Sequence, residues 1–297
     1  MRDADVPAWW ARLGLPGLID VHTHFMPQPV MDAVWRFFDN ATDRYGAPWP
    51  VRYRGDDESR VRTLRSVGVR AFTALVYPHK PGMAAWLNEW AREFAARTPD
   101  CVPTGTFYPE PGAACYVREA LEAGTGVFKA HVQVGAYDPR DGLLDEVWGL
   151  LAEAAVPVVV HCGSGPLPGA HTGPGPFGEV LANHPRLTAV IAHAGTPDFH
   201  EHCELVEHHP NVHLDTTMIG TDFMNRFAAV TPDVIARFGA LPERILLGTD
   251  FPNIPYAYAE QLVALERFEL GDDWLRAVCW DNGVRLLGLS AAGTLDR

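Results

Sequence analysis

The chain has 297 residues, 47% of them hydrophobic, with 24 Lys+Arg against 37 Asp+Glu for a formal charge of −13. That apolar share supplies a large core and excludes extended disorder. The negative balance excludes the basic face that nucleic acid or an anionic membrane would need, and no stretch reaches the ~18 apolar residues of a membrane span. Residues 1–18 hold Asp3 and Asp5 and no apolar leader-like run, so no secretory leader is expected. The five cysteines (Cys101, Cys115, Cys162, Cys203 and Cys279) are scattered and form no Cys-X-X-Cys pair, which fits a reduced, cytoplasmic setting.

In chain order, short β-branched runs alternate with longer amphipathic segments. A strand is expected at 18–21, followed by an irregular insertion over 25–55. Strands follow at 69–77, 102–107, 127–132 and 156–161, with helices between them at 84–97, 113–123 and 143–155. Further strands are expected at 187–193, 212–216 and 245–249, then a helix at 257–268 and a helical tail from 272 onward. The helices repeat apolar residues at three and four. Most strands are apolar on both faces, as strands covered by helices must be. Such alternation argues a parallel sheet, and eight strands are the number that closes an α/β barrel of about 250 residues. A single domain over 1–297 is the expectation.

The chemistry-bearing residues sit at the ends of these strands. In Ile19-Asp20-Val21-His22-Thr23-His24, side chains two apart share a face, so both imidazoles converge. Neutral imidazole is a common ligand of divalent metals. His161 ends Val158-Val159-Val160, His193 ends Val190-Ile191-Ala192, and Asp250 ends Leu246-Leu247-Gly248-Thr249. A polar group after such an apolar run is costly unless it is paired or metal-bound. In an α/β barrel that carboxyl-end rim is where active sites lie.

The ordered set of His22, His24, His161, His193 and Asp250 resembles the amidohydrolase superfamily, in the amidohydrolase-2 branch that also holds decarboxylases. The resemblance runs from His22 through Asp250 and implies a distorted TIM (β/α)8 barrel with a short insertion after the first strand and a helical C-terminal tail. It also implies Zn2+, or another divalent metal, at one per chain. By motif position His22, His24, His161 and Asp250 would be the ligands, and His193 and Asp250 the catalytic residues. Lys129 is one of two lysines and lies in the apolar run Val127-Phe128-Lys129-Ala130-His131. In two-metal relatives a lysine on this strand is carbamylated and bridges the metals, with the sixth-strand histidine, here His193, as a ligand. One-metal members carry it unmodified, and one metal is the expectation adopted.

His131 shares a face with Lys129, either as a substrate contact or as a core histidine. Asp215 ends the seventh strand and either orients His193 or serves a structural hydrogen bond. His171 and the 163–171 loop after His161 form a candidate lid. His200, His202, His208 and His209 lie on a Glu-rich helical segment expected to face solvent. Trp9 and Trp10 are expected to cover a barrel end or a dimer surface. Cys162 is expected to be a small buried residue, and Asp281 or Asn282 to cap the final helix.

The function expected is metal-dependent hydrolysis of an amide, ester or lactone bond of a small molecule through a metal-activated water, with Asp250 moving the proton and His193 steadying the oxyanion. One alternative is zinc-dependent, non-oxidative decarboxylation of a small aromatic or unsaturated carboxylic acid. Against it, the His-Pro-Trp-type segment of such decarboxylases is replaced by Gly163-Ser164-Gly165-Pro166. A third reading is a catalytically inactive barrel that acts as a binding protein. Arg52 and Arg54 are candidates to pair with a substrate carboxylate; Tyr77, His79, Tyr108 and Phe251 are further candidate contacts. The partner expected is a small-molecule substrate, not nucleic acid or membrane, and the resemblance suggests a homodimer.

Overall fold

The computed structural model describes residues 1–295, so the last two positions of the expected 1–297 domain lie outside the described residues. Among the described residues the strands are β1 (Leu18–Asp20), β2 (Val69–Thr73), β3 (Cys101–Val102), β4 (Thr104–Thr106), β5 (Val127–His131), β6 (Val158–His161), β7 (Ala189–Ile191), β8 (Val212–Asp215) and β9 (Ile245–Leu246). Their α/β alternation carries the parallel pairing that the sequence predicts. Two compact units emerge, one from Met1–Phe72 with Thr216–Arg297, the other from Thr73–Asp215. Among the described residues no helix is long and apolar enough to cross a membrane.

In the Thr73–Asp215 unit, β4 through β8 pair in sequence order, every pair parallel. Parallel neighbours need a crossover of a dozen or more residues. Helices Ala113–Glu122, Gly142–Ala154, Pro174–Asn183 and Phe199–His208 supply those crossovers. Each buries one stripe; in Gly142–Ala154 it is Leu144, Val147, Trp148 and Leu151. The register sets Thr106 opposite Lys129 and His131 opposite His161, so chemistry-bearing residues stand level on adjacent strands. Gly105 is required here, because a Cβ at that position would lie 2.7 Å from the Phe128 ring.

In the other unit β1 pairs with β2 in parallel, Leu18 with Val69 and Asp20 with Phe72. The other edge of β1 and its extension meets the 247–251 segment. Val21 N–H donates to Leu247 C=O at 2.9 Å, Asp250 N–H to His22 C=O at 2.9 Å, and His24 N–H to Phe251 C=O at 2.7 Å. That stitching holds the His-X-His segment against the carboxylate of Asp250, four residues past the last strand.

Several local expectations are corrected. The insertion at 25–55 is not irregular: it carries helices Gln28–Asp39 and Ala41–Tyr45, the first started by Pro29 in its opening turn and burying Met31 and Trp35. The strand expected at 102–107 is broken, because Pro103 has no N–H to give a ladder. β1, β7 and β9 stop short of His22, His193 and Asp250, whereas β5, β6 and β8 reach His131, His161 and Asp215. β7 ends at Ile191, and His193 and Ala194 then turn into the left-handed region at φ 55° and 48°. Trp9 is buried, and Trp10 donates from Nε1 to Val67 C=O at 3.1 Å. His202 is buried rather than solvent-facing. In the tail, helices Asp272–Arg276 and Asn282–Leu286 are joined by a π-helical turn at Ala277–Asp281. That continuous turn leaves no free helix start to cap. Asn282 Nδ2 donates instead to Pro242 and Ile245 C=O at 2.7 and 2.6 Å.

Candidate active site

In the first unit, His22, His24 and Asp250 come together. His24 Nε2 lies 2.9 Å and His22 Nε2 3.5 Å from Asp250 Oδ1. The two imidazoles meet edge to face, their centroids 5.1 Å apart. All three ligand-type atoms fall within 4.8 Å of one another, and the histidines are buried. Ligands ~2.0–2.1 Å from a tetrahedral ion stand about 3.3 Å apart, so the spacing and the nitrogen–oxygen donor set fit a divalent cation such as zinc. Asp250 takes a left-handed φ of 67°, a conformation that costs a non-glycine residue roughly 1–3 kcal/mol and is found where function demands it.

Behind the cluster lies Asp20, which sequence reasoning did not single out. Its buried carboxylate accepts from His22 N–H at 3.2 Å, Thr249 Oγ1–H at 2.7 Å and Tyr258 O–H at 3.0 Å. Burial, with the Asp20 charge beside it, pushes the Tyr258 phenol well above its ordinary pKa and keeps it a donor. A signal was present in the sequence: Asp20, His22 and His24 share one strand face, and a carboxylate inside an apolar strand must be satisfied by something.

In the Thr73–Asp215 unit a second group forms. His131 and His161 stack with centroids 4.1 Å apart and planes at 12°, a direct result of the β5–β6 register. His193 meets His161 edge-on at 4.8 Å, and Tyr77 lies 4.8 Å from His131. His131 Nδ1 also accepts from Val134 N–H at 3.3 Å, and His161 Nε2 stands 3.4 Å from Gly165 C=O. Asp215 Oδ1 accepts from His193 N–H at 2.8 Å, a bond to the backbone of the left-handed turn. Lys129 is fully buried on β5, its carbonyl accepting from Thr106 Oγ1–H at 2.7 Å.

Cys162 is the small buried residue that the sequence suggests. Burial pushes its thiol up to about 12, despite the opposing charge of Lys129. Its Sγ lies 3.8 Å from Nε2 of the buried His202, whose own pKa burial lowers. The two insertion arginines differ. Arg54 is ion-paired with Asp39. Arg52 makes no ion pair among the described residues, its guanidinium 5.9 Å from the Tyr53 ring centroid. In the candidate lid loop, His171 Nδ1 lies 3.4 Å from Asp138.

The parallel α/β architecture thus carries imidazoles and a carboxylate at or just past its strand ends, in a group that could hold a metal ion. The chain belongs to the amidohydrolase family, which residues 19–289 match. No functionally curated protein matches it. Among solved structures it is similar to an uncharacterized TIM-barrel protein from Bordetella bronchiseptica, with TM-score 0.69 and 18% identity over 92% of this chain and 98% of that one. It is also similar to 5-carboxyvanillate decarboxylase from Novosphingobium aromaticivorans, complexed with manganese and 4-hydroxy-3-methoxy-5-nitrobenzoic acid, with TM-score 0.61 and 14% identity over 92% and 96%. A third is a probable 2-pyrone-4,6-dicarboxylic acid hydrolase from Acinetobacter baumannii with citric acid bound, with TM-score 0.59 and 14% identity over 92% and 100%. At these identities the likeness shows the fold, an α/β fold of the TIM-barrel kind.

Proposed function

We propose that this chain is a metal-dependent hydrolase that cleaves an amide, ester or lactone bond of a small molecule. The observation that carries the reading is the convergence of His22, His24 and Asp250, with Asp250 Oδ1 2.9 Å from His24 Nε2. These three residues hold the cation, one per chain with zinc as the expected metal, and His161 is assigned as the fourth ligand from its strand-end position in the sequence. When bound, such a cation lowers the pKa of water from ~15.7 toward ~7 and polarises a carbonyl oxygen.

The chain's own groups supply the rest. Asp250 takes a proton from the attacking water and hands it to the leaving group. His193, its backbone fixed by Asp215, steadies the negative charge that develops on the carbonyl oxygen. Lys129 stays unmodified in this reading; a carbamylated Lys129 with His193 as a ligand belongs to a two-metal version. His131 lines the substrate pocket. Arg52 is better placed than Arg54 to meet a substrate carboxylate, because Arg54 already holds Asp39. The reading takes the two units as one catalytic domain.

Decarboxylation of a small aromatic or unsaturated acid is the second reading, favoured by the likeness to a 5-carboxyvanillate decarboxylase. Elemental analysis of the purified protein beside His22→Ala, with a parallel screen for bond hydrolysis and carbon dioxide release, tests both. About one metal per chain, lost in His22→Ala, together with hydrolysis of a lactone, ester or amide, is the expected result. Carbon dioxide release without hydrolysis supports the second reading instead. A metal-free protein after metal-replete expression overturns both.

A further inference from the structure

We infer that Asp20 is a positioning residue that sets the two halves of the metal-holding group against each other. The inference rests on the proposed metal site and goes beyond it to a residue that touches neither metal nor substrate. Its two carboxylate oxygens are divided between the halves. Oδ1 accepts from the backbone N–H of His22, two residues past the end of β1. Oδ2 accepts from Thr249 Oγ1–H and from Tyr258 O–H. The Thr249 hydroxyl in turn accepts from Phe251 N–H at 3.2 Å. One buried carboxylate therefore ties the His-X-His strand to both chain neighbours of Asp250.

The need for such a tie follows from the backbone. Asp250 stands at φ 67°, and a non-glycine residue keeps that conformation only where its surroundings over-determine it. Asp250 N–H and Thr249 N–H both point to His22 C=O, at 2.9 and 3.4 Å. Those bonds define the turn only while Thr249 and His22 keep their places, and Asp20 is the group common to both. Without it the turn relaxes and carries the Asp250 carboxylate away from His24. Partners that orient metal ligands typically change metal affinity ten- to a hundredfold when removed, whereas a carboxylate that merely fills the core would change stability alone.

The test measures the zinc dissociation constant by competition with a chromogenic chelator, beside the thermal midpoint of the metal-free protein. The variants are Asp20→Asn, Thr249→Val and Thr249→Ser, with Val117→Ala as a core truncation in the other unit. Thr249→Val is the mild variant should Asp20→Asn fold poorly. Asp20→Asn and Thr249→Val are expected to weaken zinc binding by about ten- to a hundredfold. Thr249→Ser keeps the hydroxyl and holds affinity within about twofold, and Val117→Ala lowers the midpoint without moving affinity. Wild-type zinc affinity in both Asp20→Asn and Thr249→Val, with only the midpoint lowered, overturns the inference and leaves the metal site standing. A wild-type protein that binds neither zinc nor another divalent metal removes the metal site and this inference with it.

Discussion

At the scale of single residues, backbone and chemistry coincide at two positions. His193 and Asp250, the two residues proposed to act on substrate, both hold left-handed backbone, at φ 55° and 67°. Asn tolerates that region about as well as Asp, so Asp250→Asn separates charge from geometry. It is expected to keep the fold, read by circular dichroism, and to lose roughly 10²–10⁴ in kcat, the usual worth of a general acid–base group. Retained turnover would remove Asp250 from the proton path. The histidine pair was legible because an i, i+2 spacing on one strand needs no tertiary knowledge to place both rings on one face. Asp20 was not, because two of its donors, Thr249 and Tyr258, lie 229 and 238 positions away. Its place on the face shared with His22 and His24 was a local signal; which groups satisfy its carboxylate only tertiary folding decides.

At the scale of elements, apolar periodicity located the strands and the crossover helices, and it failed at their ends. Hydrophobicity continues past the regular strands: the 69–77 run is a strand only over Val69–Thr73 and the 245–249 run only over Ile245–Leu246. Turn geometry there is set by tertiary hydrogen bonds such as Asp215 to His193 N–H. Helix Gly142–Ala154 offers a simple test of end chemistry. Its C-terminal residue Ala155 is exposed and left-handed, at φ 53°. Glycine adopts that conformation without a Cβ clash, so Ala155→Gly is expected to stabilise by about 1 kcal/mol and raise Tm by about 2 °C. A lowered Tm would contradict it.

A second element-scale test concerns pH. Arg140 bridges Asp138 and Glu179, its guanidinium 2.8 Å from each, and holds the Asp138 carboxyl down to about 2. A depressed carboxylate contributes stability above its unfolded pKa and loses it as pH falls through the folded one. Asp138→Asn is therefore expected to cost a few tenths of a kcal/mol at pH 7, and that difference should shrink between pH 4 and 2 in denaturant titrations. A difference that grows on acidification would be evidence against the pairing.

For the whole molecule, burial of the thiols gives a reading of integrity. Cys115 is exposed, whereas Cys101, Cys162, Cys203 and Cys279 are buried in their units. Burial also raises Cys162 and Cys279, which leaves little nucleophilic thiolate at pH 8. Iodoacetamide is expected to label Cys115 alone in the native protein and all five cysteines after denaturation, as counted by intact mass. Rapid native labelling at Cys162 would mean that the strand-end region opens. Whether a thiol reaches solvent depends on the packing of neighbouring elements. The apolar pattern alone could not separate Cys115 from the other four.

The split of one unit into two stretches of chain has a consequence for synthesis. His24 and Asp250 are 226 positions apart, with the whole Thr73–Asp215 unit encoded between them. On a ribosome adding about 5–20 residues per second, the imidazoles emerge some 10–45 s before their carboxylate. By the end of that interval the intervening unit is complete in sequence, while the His22–His24–Asp250 group still lacks its carboxylate. The proposed cation-holding group is thus assembled late in the life of the chain, only once Asp250 has left the exit tunnel.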